Sequence, residues 1–281
     1  MISEKSTEIK PQSHLLELNL AELYAYRDLL MMYVKRDIVT FYKQTILGPL
    51  WFVIQPVLTT IMFMVIFGNL AGLSTDGMPQ PLFYFAGIIL WNYFADCLTR
   101  NSKTFTENQQ VFGKVYFPRM VVPLSITISN LVRFFIQFAI FILIYFYYIF
   151  FTNAVVIPNY TIFFFPVLVI LAAGLSLGFG IIFSSLTTKY KDLTFLLQFI
   201  VQLWMYATPV IFPLNSIPVD KQWLLVLNPM TAVVETFKYG FIGQGVFSWL
   251  HLAYSSAFMI ILLLIGTIVF NKVEKSFMDT V

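Results

Sequence analysis

Charge is scarce in this chain. Only 11% of its 281 residues are charged, and 59% are hydrophobic. A soluble domain carries about 25% charged and roughly 45–50% apolar residues. A water-soluble fold of this length cannot hide so much apolar surface, so the composition excludes one and points to a bilayer protein. Cysteine is nearly missing too. Cys97 stands alone, closes no internal disulfide, and reads as a small apolar filler near the end of a span. His14 and His251 are far apart and lack the spacing of a ligand pair, so no metal site is expected. The net charge of +3 is too small and too scattered to suggest a nucleic-acid partner. The first 20 residues contain no apolar leader, so the first span is expected to act as its own insertion signal. There is no G-x-x-x-x-G-K-[ST] loop, so the chain does not bind ATP in that way. No internal repeat is evident, which disfavours many secondary transporters.

What is present is apolar sequence in blocks. A spanning helix needs about 20 mostly apolar residues. Six blocks qualify: residues 50–69, 82–98, a long one within 120–151, 162–186, 193–212 and 249–270. Lys5, Lys10, Arg27, Lys35, Arg36 and Lys43 precede the first. Arg100, Lys103, Lys114 and Arg119 follow the second, Lys189 and Lys191 the fourth, and Lys272 and Lys275 the last. The opposite loops hold only Lys221 and Lys238. The positive-inside rule then places both termini in the cytoplasm. An odd number of spans would move Lys272 and Lys275 outside.

Arg133 interrupts the third block. A charge deep in the bilayer costs several kcal/mol or more unless paired or snorkelling. One reading starts the buried span near Phe134 and leaves residues 120–132, broken by Pro123, as an interfacial approach. The other is a long tilted helix with Arg133 facing a wet interior. Asp96 lies four residues before Arg100, a spacing that pairs them on a helix.

The expected fold is an all-α membrane protein. It has six transmembrane helices, an N-terminal amphipathic interface helix, and short re-entrant external helices before the last span. Residues 1–18 form a flexible cytoplasmic N-terminus, 19–45 the interface helix, 46–275 the spanning domain, and 276–281 a cytoplasmic tail. In the interface helix, Asn19 and Glu22 make a capping box, and Leu23, Tyr26, Leu30, Val34, Ile38 and Phe41 recur at steps of three or four. Such a helix lies in the membrane plane with its basic flank toward headgroups. Residues 99–119 form a charged cytoplasmic stretch. Residues 213–248 are semi-apolar and external, and break at Asn228-Pro229 into two short helices. Pro49, Pro56, Pro118 and Pro123 shape helix ends and kinks.

Catalytic groups are missing from the spans. Glu235 reads as a solvated or capping carboxylate between the external helices, with a functional role as its alternative. The sequence therefore describes a pathway with its engine elsewhere. Trp51, Phe52, Trp91, Tyr93 and Phe94 cluster near span ends, and Tyr145 and Tyr148 sit in an aromatic run at the outer end of the third block. They belong either to an interfacial belt or to a path whose flat rings suit sugar faces.

Four stretches carry a resemblance that covers about residues 20–275. They are the pre-span helix running into KQTILGPLWFVIQP, then GIILWNYFADCLTRNSKTF, then VYFPRMVVPLS, and finally WMYATPVIFPLNSIP followed by LNPMTAVVETFKYGFIG. In order and spacing they resemble the membrane subunit of bacterial type 2 ABC exporters of polysaccharide: O-antigen, capsule and teichoic-acid permeases. The resemblance implies a homodimer in the bacterial inner membrane, bound to two copies of a separate cytoplasmic ATPase. ATP and Mg would sit on that partner, with no cofactor on this chain. It implies ATPase coupling through residues 19–43 (Val34, Lys35, Arg36), 102–117 (Lys103, Phe105, Glu107, Phe112) and 189–192 (Lys189, Lys191). It implies an external gate at Asn228, Pro229 and Glu235. The cargo would be an undecaprenyl-type lipid-linked glycan, O-antigen first among the choices, drawn from membrane lipid between the two copies. A drug, haem or lipid exporter of the same broad fold, a membrane-embedded glycosyl- or acyltransferase, and an ion-coupled flippase are the alternatives.

Overall fold

The computed structural model describes residues 20–43, 47–152 and 156–280, and their side chains except at 20, 21, 42 and 276–280. Asn19, His14 and the segment 1–18 lie outside the described residues. All regular structure among the described residues is helical. The basic end below means the end that carries Arg36, Arg100, Lys103 and Lys189; the far end is its opposite.

The expected interface helix is two pieces, α1 (Leu20–Ala25) and α2 (Arg27–Lys43). Helical hydrogen bonds continue through the turn between them, from Tyr26 N–H to the Glu22 carbonyl and from Leu30 N–H to the Tyr26 carbonyl, both 3.0 Å. Its apolar stripe is covered by the chain itself. Leu23, Tyr26 and Leu30 pack on a cluster that includes Tyr33, Phe105, Phe117, Val121 and Phe270, and α2 runs against α6 (Val121–Phe151).

The first span opens with a 3-10 turn at Gly48–Leu50, continues as α3 (Trp51–Phe63) and ends in a π turn over Met64–Leu70. Pro56 sits inside it, so the bond to the Phe52 carbonyl is missing. The second span, α4 (Gln80–Asn101), is longer than residues 82–98 because Pro81 stands in its first turn, where no N–H is needed. It is the central helix: 78% of its apolar window is buried inside the chain, against 22% for the first span. It packs on α3, α6, α7 (Phe165–Lys189), α8 (Leu193–Tyr206) and α10 (Pro229–Ile242). A short helix, α5 (Thr104–Phe112), follows α4 at the basic end.

The third and fifth blocks differ in form from the first expectation. The third block is one unbroken helix of 31 residues, α6, rather than an approach followed by a span from Phe134. Pro123 falls in its first turn, where backbone N–H groups have no intrahelical acceptor, so it does not break the helix. The fifth block, residues 193–212, yields only the 14-residue α8, about 21 Å long at 1.5 Å per residue, because the chain turns at Thr208-Pro209. Among the described residues, five helices are long and apolar enough to cross a bilayer: Gly48–Leu70, Gln80–Asn101, Val121–Phe151, Tyr160–Lys189 and Trp249–Lys275.

The last span belongs to α11 (Trp249–Thr280), which lies along α7. Small residues let the two approach closely. A Cβ on Gly178 would stand 2.9 Å from the Leu262 side chain, and one on Gly174 would collide with Met259. At the far end the expected pair of short helices is present as α9 (Gln222–Val226) and α10, broken at Asn228-Pro229. Asn228 caps α10 by accepting from Met230 N–H at 3.0 Å. Gly243 ends it at φ 85°, where a side chain would strike the Ile157 carbonyl.

Candidate functional site

At the basic end, two of the expected coupling segments meet around one groove. Leu29, Met32, Tyr33 and Arg36 of α2 face Val111, Val115 and Phe117 of the α5 segment across a cavity of about 500 Å³. The groove is anchored from behind. Phe105 and Phe112 are buried, their rings 6.0 Å apart, and Phe105 packs at a tilt on Phe270 at 4.6 Å. Phe112 touches Phe117 at 5.7 Å, and Phe117 touches Tyr33 at 6.0 Å. The Phe105 N–H donates to Ser184 Oγ at 3.3 Å, and Thr187 Oγ1 donates to the Ser102 carbonyl at 2.7 Å, tying α5 to α7. Arg119, buried beside Phe112, pairs with Glu274 at 3.7 Å and so links the segment to α11. Lys35 and Glu107 are exposed, Lys103 is half-buried and Val34 is turned inward; Lys189 and Lys191 are exposed at the α7–α8 turn.

Just inside this end, four helices are joined by charge. Asp96 pairs with Arg133 at 2.6 Å, not with Arg100. The correction has a physical cause. Arg100 turns toward α2, where Asp37 lies 3.9 Å away and the Phe41 ring 4.9 Å away. Asp37 also accepts from Arg36 at 2.8 Å. Arg133 donates to Gln55 Oε1 at 3.2 Å and lies over the Phe52 ring at 5.1 Å, and Phe52 meets Phe41 edge-on at 5.5 Å. Gln55, Asp37 and Phe41 carried no signal in sequence beyond helical phase.

The aromatic candidates divide. Trp51 is exposed on the first span, and Phe52 is buried in the contact just described. Trp91, Tyr93 and Phe94 are buried inside the chain, with Trp91 and Phe94 packed on Trp204. Tyr145 is buried and Tyr148 half-buried. Much of the aromatic surplus is core. Phe134, Phe138, Phe141 and Tyr145 repeat at helical spacing on α6, and Phe138 stacks on Phe165 at 4.3 Å while Phe141 meets Phe241 at 5.4 Å. Phe146, Tyr147, Phe150 and Phe151 are exposed.

At the far end, α10 carries a buried polar cluster. Glu235 is 2% exposed, so of the solvated and capping alternatives the solvated one fails; its Oε2 accepts from the backbone N–H of Val246 at 3.2 Å. Burial pushes its carboxyl up, and nearby Lys238 opposes this. Lys238 is fully buried, lies 3.4 Å from the centre of the Phe83 ring and donates to the Pro209 carbonyl. Burial pulls its ammonium down to about 7, against the pull of Glu235 and Asp76. Asn228 Nδ2 donates to Thr208 Oγ1 at 2.8 Å. The cap of α10 and the lysine inside it therefore both grip the turn that ends α8. Lys238 entered the sequence analysis only as a topology charge; its depth is set by neighbours distant in sequence.

Stacked apolar helices, a basic end with a groove, and a polar lock at the opposite end define a multi-pass membrane protein without an ATP-binding loop of its own. The chain belongs to the ABC-2 type transporter family, whose pattern it matches over residues 28–242. It is 25% identical over 263 residues to the O-antigen export system permease protein RfbA of Myxococcus xanthus, covering 92% of this chain and 98% of that one. An RfbA permease of the same description from Klebsiella pneumoniae is 26% identical over 254 residues, covering 90% and 94%. The polysialic acid transport protein KpsM of Escherichia coli is 25% identical over 252 residues, covering 87% and 93%.

Proposed function

We propose that this chain is the membrane-spanning half of an ATP-driven exporter of lipid-linked polysaccharide, with O-antigen as the preferred cargo. Membership of the ABC-2 family and similarity over nearly full length to polysaccharide permeases support the reading. The observation that carries it is the groove between α2 and the α5 segment, where an apolar lining of Met32, Val111 and Val115 is exposed at the basic end. In this reading the basic end is cytoplasmic, both termini lie there, and the membrane is the bacterial inner membrane. A separate ATPase subunit fills the groove and touches Lys189 and Lys191. ATP and Mg are bound by that subunit, and this chain performs no chemistry.

Two copies of the chain enclose the path. The first span offers Trp51, Leu58, Met62 and Val65 at helical spacing, and α8 offers Phe195, Phe199 and Leu203; all are exposed. The α8 face is the proposed contact between copies, with α8 crossing the bilayer together with its following turn, while the first-span face stays open to lipid. A push on α2 and α5 reaches the first span through Arg133, Gln55 and Phe52. At the outside, α10 and its grip on the Thr208-Pro209 turn form the gate.

The test is export in living cells. Met32 is 60% exposed, and its replacement leaves the core untouched. Met32→Glu is expected to lower ATPase co-purification and surface glycan at least ~10-fold, a loss of about 1.4 kcal/mol, while the chain still inserts. Normal export and normal ATPase retention in that variant would remove the groove from the account. Val34→Asp, at a buried site, should also weaken docking, accompanied by loss of α2 packing.

A further inference from the structure

The charged contacts among α2, α3, α4 and α6 leave something over. Arg36, Arg100 and Arg133 bring three positive charges; Asp37 and Asp96 bring two negative ones. Two buried donors, Arg100 Nη1 and Arg133 Nε, have no hydrogen-bond acceptor among the described residues, and one buried acceptor, Asp37 Oδ2, has no donor, which leaves one donor in excess. A structural lock would be expected to balance its charges and satisfy its donors, since a buried donor left unmade costs about 1–3 kcal/mol. This cluster has a surplus of both, and it is accessible: the side chains of Arg36, Arg100 and Arg133 are 51%, 36% and 20% exposed.

Its depth is also informative. Asp96 lies five residues from the end of α4 at Asn101, and Gln55 seven residues from Gly48 where the first span opens. At 1.5 Å per residue both are within about 10 Å of the basic end of their spans. From that depth arginine side chains extend to the level where lipid headgroups meet hydrocarbon. From Gln55 outward, Leu58, Met62 and Val65 continue as an exposed apolar stripe along the same helix face. A positive, donor-rich patch at headgroup depth beside an apolar stripe fits a ligand with an anionic head and a hydrocarbon tail. Guanidinium forks match phosphate oxygens in geometry, and a diphosphate supplies acceptors enough for two of them.

We propose that Arg100 and Arg133, with Arg36 at the rim, bind the phosphate or diphosphate head of a membrane lipid. Asp37 and Asp96 hold the guanidiniums in place, and the tail lies against the first span. This rests on the export reading for one of its two sources, the lipid carrier of the glycan; the other source is ordinary anionic phospholipid.

The experiment uses the permease–ATPase complex in nanodiscs of neutral lipid, with two probes: a sugar-free polyprenyl diphosphate and phosphatidylglycerol. Binding is read by native mass spectrometry and by competition with inorganic diphosphate. Arg100→Gln and the neutral pair Asp96→Asn/Arg133→Gln should each weaken polyprenyl diphosphate binding ~10-fold or more. The swapped pair Asp96→Arg/Arg133→Asp keeps an ion pair and so serves as the control for folding; it should remain assembled and still fail to bind. Equal binding by all variants, or full binding by the swapped pair, would overturn the site and leave a structural lock. Arginine-dependent binding of phosphatidylglycerol but not of polyprenyl diphosphate would keep the site and assign it to bulk lipid. Failure of the export reading shows separately, as a chain that binds the probe but retains no ATPase.

Discussion

A lysine without solvent contact is costly unless its charge is met nearby. Lys238 meets the Pro209 carbonyl and the Phe83 ring, and Glu235 stands one turn before it on α10. Its folded pKa, about 7, lies below the ordinary 10.5. Between those values the unfolded chain holds the extra proton, so stability contributed through this group rises with pH in that window and falls as pH drops toward 7. Thermal unfolding of the purified complex between pH 7 and 9 should show this rise, and Lys238→Met should flatten it. An unchanged slope in the variant would place the titration elsewhere. The same residue marks the limit of sequence reading. Its position outside the apolar blocks was legible, but its burial was not, because Phe83 and Pro209 reach it from distant parts of the chain. Asp96 is parallel: the four-residue step favoured Arg100, but Asp37 and Phe41 on α2 turned that arginine away and left Asp96 to Arg133.

Among the elements, the long helices were readable from hydropathy, while their ends were decided by local chemistry. Pro81 started α4 earlier than apolarity did, Pro123 fitted into the first turn of α6, and Thr208-Pro209 cut α8 short. The break between α9 and α10 followed from Asn228-Pro229 as expected. Contacts between helices were not readable, since α7 is apolar on all sides and gives no phase. The α7–α11 seam depends on close approach at Gly178, where a Cβ meets Leu262 at 2.9 Å. Gly178→Val should therefore overpack the seam by about 1–3 kcal/mol and lower the melting temperature of the detergent-solubilised complex. A variant as stable as the parent would mean that α11 shifts away without cost. The α2–α5 groove belongs to this scale too. Both walls were expected as coupling segments, and the contact of Tyr33 with Phe117 joins them.

For the whole molecule, the central relation is between two ends. The basic end holds a groove built on buried aromatics, the far end holds α10 on the α8 turn, and the charged cluster beside the first span lies between them. Composition and charge bias already excluded a soluble fold and pointed to a pathway driven from outside. They were silent on how the aromatics divide, since Trp91 and Phe94 in the core and Trp51 on the surface look alike in sequence. If the half-buried ring of Tyr148 lines the path, replacing it by Ala should slow glycan export while assembly stays intact; unchanged export would assign it to packing, where Tyr145 already lies. The account as a whole stands on the claim that this chain works in duplicate with a separate ATPase. Native mass spectrometry of the complex drawn gently from the cell membrane measures that directly. The predicted species contains two copies of this chain and two ATP-binding subunits, with lipid-linked glycan retained on part of the population. A chain that leaves the membrane alone, with no ATP-binding subunit under any detergent, would contradict it.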